Sequence, residues 1–130
     1  MRGLRAGLGL LVWAASFAWA GEAASDASVA RGQALLLNHQ VSGCVLCHRI
    51  PGVPSRAEIG PDLAGVASRF DGQALFDRIA DARVFQPQTL MPPTLSSHTL
   101  RQVAPEWQGK TLLMPDQVHD IVAYLMAHAR

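Results

Sequence analysis
Five consecutive residues, Cys44-Val45-Leu46-Cys47-His48, constrain this chain more than any other stretch. They set two thiols three positions apart with an imidazole directly after the second, and C-x-x-C-H at that spacing is the attachment signature of a c-type haem. The thiols add across the two vinyl groups of the ring, and His48 then sits where it can ligate the iron. Two plainer uses of the cysteines compete. A thioredoxin-like pair needs a strand before it and a parallel sheet around it, and no such pattern surrounds Cys44. A zinc site needs further soft ligands, whereas Cys44 and Cys47 are the only cysteines in the sequence. One covalently bound haem c, held by Cys44, Cys47 and His48, is therefore expected.

The rest of the chain agrees with an exported haem protein. Its 130 residues suffice for one small domain. Arg2 and Arg5, an apolar run from Leu8 to Phe17, and Ala18-Trp19-Ala20 read as a Sec-type signal peptide over 1–20, cut before Gly21. As a helix, Leu8 to Ala20 would reach only about 20 Å, against roughly 30 Å of bilayer hydrocarbon. No other apolar run is long enough to span a membrane, so a periplasmic domain over 21–130 is expected. Eleven basic side chains against ten acidic ones leave no basic stripe for nucleic acid. A disulfide between Cys44 and Cys47 would close too short a loop to staple a fold.

Hydrophobic spacing predicts an all-α fold of three to four short helices and long loops. Glu22 to Ala27 reads as a loose polar leader, followed by a helix from near Ser28 to about His39 with Asp26 or Ser28 as N-cap. Gly32 inside it implies a second helix crossing closely. Ser42-Gly43 breaks the helix before the cysteine motif, and Pro51, Gly52, Pro54 and Gly60-Pro61 mark loop. Asp71 caps a helix over Gly72 to about Arg83, with weaker helical potential at Leu100 to Ala104. The final helix begins with Pro115 and aligns Val118, Ile121, Val122, Leu125 and Met126. Such elements make a poor core alone, and a bound haem supplies the missing apolar interior.

An electron-transfer haem favours a second protein ligand, and thioether opposite imidazole raises the potential. Of four methionines, Met1 leaves with the leader and Met126 lies on an apolar helix face. Met91 stands in the stiff loop Thr89-Leu90-Met91-Pro92-Pro93, and Met114 at the N-cap of the last helix. Geometry favours Met91 and leaves Met114 open, with His39, His98, His119 and His128 as surface alternatives. Behind His48, the imidazole N–H needs an acceptor, and the carbonyl of Pro61 in the Gly60-Pro61 turn is the candidate.

Two sets of residues carry a family resemblance. Gly60-Pro61-Asp62-Leu63-Ala64-Gly65-Val66 after the cysteine motif resembles class I cytochromes c, which implies their fold, with Pro61 holding His48. Asp81-Ala82-Arg83, Pro87 to Pro93, Leu100 to Ala104, Gly109 to Leu113 and Val118 to Leu125 are similar to SoxX, the small monohaem subunit of the sulfur-oxidation cytochrome SoxAX. That resemblance implies thioether attachment at Cys44 and Cys47, His48 as proximal ligand and Met91 as distal ligand. Met114 stands where the family tends to have a small polar cap, and His119 where it has an acidic residue.

The SoxX resemblance also implies partners. In SoxAX, thiosulfate is joined oxidatively to a cysteine of the SoxYZ carrier, an L-cysteine S-thiosulfotransferase reaction, with the catalytic cysteine in a dihaem or monohaem SoxA subunit. This chain would take the electrons and pass them to a soluble cytochrome c. It has no third cysteine to act as nucleophile. The alternatives are a free-standing carrier with the same haem chemistry, and a small peroxidase or gas sensor with an open sixth position, which a placed Met91 opposes.

Overall fold
Two long helices crossing at a glycine set the frame. The structure, a computed structural model, describes residues 18–98 and 100–130; most of the expected leader, 1–20, lies outside the described residues. Helix α1 spans Ala18–Leu37. Its start corrects the expected one near Ser28: Glu22 to Ala27 are helical rather than loose. That stretch is rich in alanine and lacks proline, so nothing interrupts the helix there. Ser28 is accordingly no N-cap; its hydroxyl donates to Asp120 Oδ1 at 2.7 Å.

Helix α5, Pro115–His128, is the partner. A Cβ on Gly32 would lie 2.0 Å from the Asp120 carbonyl oxygen and 3.0 Å from the Tyr124 Cβ, so the close crossing expected at Gly32 is real. Beside it, Arg31 Nε donates to Asp120 Oδ2 at 2.8 Å and Arg31 Nη2 to Oδ1 at 2.9 Å. The hydrogen bond from Arg31 is the largest cause holding the Asp120 carboxyl below its ordinary range. Val118, Ile121, Val122 and Leu125 are buried as their spacing predicts, and Tyr124 joins them. More than one face of α5 is covered, because α1, α3 and α4 all pack on it.

Between these helices lie short elements. Helix α2 is the single turn Cys44–Cys47, and α3 the single turn Val66–Arg69. Helix α4, Gly72–Ala80, starts as expected at Asp71, whose side chain accepts from the Ala74 N–H at 2.8 Å. It stops short of the expected Arg83. Asp81 turns to extended backbone and its carboxylate accepts from the Arg83 N–H, so the chain restarts as a 3-10 turn over Ala82–Val84. Arg78 lies between the Phe70 and Phe85 rings, 4.1 and 4.3 Å from their centroids. The helical potential over Leu100 to Ala104 is not realised; a 3-10 turn forms at Pro105–Trp107 instead. Proline disfavours helical backbone in the residue before it, which here is Ala104.

The fold is thus all-α. Among the described residues no strand occurs, only the isolated bridge between Ile50 and Val53. That bridge closes a turn in which Gly52 takes φ +74° after Pro51, and Tyr124 Oη donates to the Pro51 carbonyl at 2.8 Å. The core gathers Leu36, Ile50, Val53, Val66, Leu75, Ile79 and Leu113 around the α5 residues. Among the described residues no helix is long and apolar enough to cross a membrane.

Candidate haem site
The loop after α1 delivers the cysteine motif as a preformed turn. Gly43 adopts φ +66°, a left-handed value that glycine takes at no steric cost, and α2 begins directly after it. Cys44 and Cys47 are therefore one helical turn apart, which brings their side chains to one side. Both thiols are free and partly buried. Burial pushes the Cys44 thiol up, with a contact to Ser42 pulling the other way. His48 follows in extended backbone while its N–H closes the turn onto the Cys44 carbonyl at 2.9 Å.

The imidazole is held on two sides. His48 Nδ1 is 2.8 Å from the Pro61 carbonyl oxygen. A carbonyl only accepts, so Nδ1 is the donor, and in the neutral ring this leaves the lone pair on Nε2, the form a metal-ligating histidine needs. Gly60 lies against the ring: a Cβ there would come within 2.5 Å of Cε1 and 2.7 Å of Nδ1. The Gly60 N–H donates to the Cys47 carbonyl at 2.7 Å and the Leu63 N–H to the Arg49 carbonyl at 2.9 Å, so the 60–63 segment lies alongside the motif. Ser55 Oγ sits 2.7 Å from the His48 carbonyl oxygen and 2.9 Å from that of Val45. Sequence reasoning used Gly60 only as a turn marker and missed Ser55. The glycine before Pro61 was the available signal for the first; Ser55 gives none, because its partners meet it only in the folded loop.

Met91 and Met114 have different surroundings. Met91 is half-buried and packs against the core, and its N–H donates to Thr89 Oγ1 at 3.1 Å. Met114 is 62% exposed at the N-terminus of α5. The loss of capping expected from a methionine there is offset, since Gln117 Oε1 accepts from the Met114 N–H at 2.8 Å. The four other histidines are all exposed. His119 stacks on Phe76 and His128 on Tyr124, each pair with centroids 4.4 Å apart.

The cytochrome c family model matches residues 29–129, from the middle of α1 through the end of α5. The chain belongs to the cytochrome c family. The crystal structure of SoxXA from P. pantotrophus is similar to this cytochrome at TM-score 0.67 and 24% identity, over 78% of this chain and 81% of that one. The c-type cytochrome SorU from Sinorhizobium meliloti is similar at TM-score 0.56 and 16% identity, over 80% of this chain and 93% of SorU. At these identities the likeness is one of fold. No curated protein sequence matches significantly.

This cytochrome is an electron-transfer protein of the c type, and its cofactor is a covalently bound haem c. The residues present fit that group. Two free thiols stand one turn apart, the following imidazole offers a lone pair on Nε2, and its other nitrogen is already engaged. Among the described residues no group of three or more His, Cys, Asp or Glu side chains is arranged to hold a bare metal ion.

Proposed function
We propose that this cytochrome is the electron-transfer subunit of a periplasmic SoxAX-like L-cysteine S-thiosulfotransferase. The observation that carries the reading is the likeness of fold to SoxXA, which runs through most of both chains. The SoxX-like segments from Asp81 to Leu125 support it independently. In this reading residues 1–20 are the export leader and 21–130 the domain that works outside the cytoplasm.

The haem, when bound, supplies an iron that exchanges one electron between its ferrous and ferric forms. Cys44 and Cys47 would tether it, His48 would ligate through Nε2, and Met91 would supply a thioether ligand. The Pro61 carbonyl keeps the imidazole in one tautomer and one orientation, so the ligand need not reorganise when the iron changes charge. The half-buried, core-packed setting of Met91 supports it over the exposed Met114. A thioether opposite imidazole favours the reduced iron. The sulfur chemistry belongs to a SoxA-type partner bearing the catalytic cysteine, with SoxYZ as carrier and a soluble cytochrome c as electron acceptor.

Co-expression with a SoxA-type cytochrome tests this. The two chains are expected to elute together from a sizing column, and the haem of this chain to be reduced when thiosulfate and SoxYZ are added. A chain that elutes alone and stays oxidised would instead be a free-standing carrier.

A further inference from the structure
Thr94 lies three residues beyond Met91 and is only 3% exposed. Its hydroxyl donates to the Ile79 carbonyl at 2.7 Å. Its N–H and that of Leu95 both donate to the Ala80 carbonyl, at 3.0 and 3.1 Å. Ile79 and Ala80 close α4, where carbonyls have no partner within the helix. The loop that carries Met91 therefore supplies the missing donors of a helix end. The Thr94 carbonyl in turn accepts from the Leu113 N–H at 3.0 Å, just before α5. Arg83 adds a second tie, Nη1 donating to the His98 carbonyl at 3.3 Å while Nε and Nη2 grip Asp81.

Only Pro92 and Pro93 separate Met91 from this anchor. Proline rings fix φ, so the connection has little slack. On the other side, the turn at Gln86 to Thr89 and the Thr89 hydroxyl hold the Met91 N–H. We propose that Thr94 is a positioning residue for Met91, a latch that keeps the thioether at its post and must open before that ligand can leave. This rests on the reading of Met91 as distal ligand.

The test uses the ferric holoprotein and exogenous imidazole, which competes with the thioether for the iron. Thr94→Val keeps the side-chain shape, removes the hydroxyl and leaves the Ile79 carbonyl without that donor. It is expected to retain the far-red sulfur–iron band and to bind imidazole roughly tenfold more tightly, the size of one lost buried hydrogen bond. Thr94→Ser should return to wild-type affinity, and Ser28→Ala, which removes a bond at the distant helix crossing, should not change it. Wild-type affinity in Thr94→Val, or an equal shift in Ser28→Ala, would overturn the latch. In the wild type, saturating imidazole should speed hydrogen exchange at the Thr94 and Leu95 amides, and unchanged protection would overturn it as well, even if Thr94→Val failed to fold. Met91→Ala separates the two ideas. A band that survives Met91→Ala removes the ligand reading itself; a band that is lost, with no effect of Thr94→Val, removes only the latch.

Discussion

His48 and Met91 are held over different ranges of the chain. The hydrogen bonds that fix His48, and the glycine against its ring, come from the stretch between Cys44 and Leu63: its own turn, Ser55, Gly60 and the Pro61 carbonyl. Met91 has one local hydrogen bond, through Thr89; its other support is packing against the core and the reach of Thr94 to the end of α4 and the segment before α5. A ligand held by its own neighbourhood persists as long as that neighbourhood folds. One held through distant elements is released by any local opening that parts those elements, at a free energy below that of global unfolding. If both residues ligate as proposed, His48 would be the firm ligand and Met91 the exchangeable one.

The largest blow to this contrast is expected from Gly60→Val. Its side chain would overlap the His48 ring, at a stability loss of about 3 kcal/mol or more. Little holoprotein should accumulate, read by haem staining after denaturing electrophoresis and by urea unfolding of what remains; normal yield and midpoint would mean the ring has room that the geometry denies it. A smaller, pH-dependent effect is expected from Asp120→Asn at the α1–α5 crossing. The Asp120 carboxyl is held below its unfolded pKa of about 3.9, so its contribution is present above that value and fades as the pH falls through the lower, folded pKa. The variant's Tm should lie a few degrees lower at pH 7 and converge on wild type in acid, with the sulfur–iron band unmoved at neutral pH. A gap that widens in acid would reverse the sign assigned to Asp120. The least is expected from Pro61→Ala, which retains the carbonyl that accepts from His48. Only loop stiffness is lost, less than about 1 kcal/mol in denaturant midpoint, and the haem spectrum should not change. A changed spectrum would show that the ring of Pro61, and not only its carbonyl, shapes the imidazole's seat.

The same difference in range explains what could be read in advance. Asp71 as a cap, Pro115 at the first turn of α5, Pro51-Gly52 as a turn and the apolar stripe of α5 follow from residues a few positions apart, whose preferences survive in any fold. Gly32 was legible too, since a glycine inside a helix is unfavourable unless something lies close. The end of α4 was misread because Asp81 competes for the backbone, a choice its own neighbourhood allows either way. The helical course of Glu22 to Ala27 was missed because small polar residues resemble a leader as much as a first turn. Burial of Asp120 gave no signal: an aspartate inside an apolar stripe reads as solvent-facing until Ser28 and Arg31 arrive from another helix.

By itself, then, the amino-acid order determined the chemistry of attachment. Two thiols and an imidazole at fixed spacing need only one turn of backbone to converge, and the C-x-x-C-H motif carries that turn within itself. Tertiary structure alone decided how the loop that carries Met91 is held. Thr94 meets Ile79, Ala80 and Leu113 because its loop runs between the end of α4 and the segment before α5, and a buried hydrogen bond between such distant segments has no counterpart in local sequence.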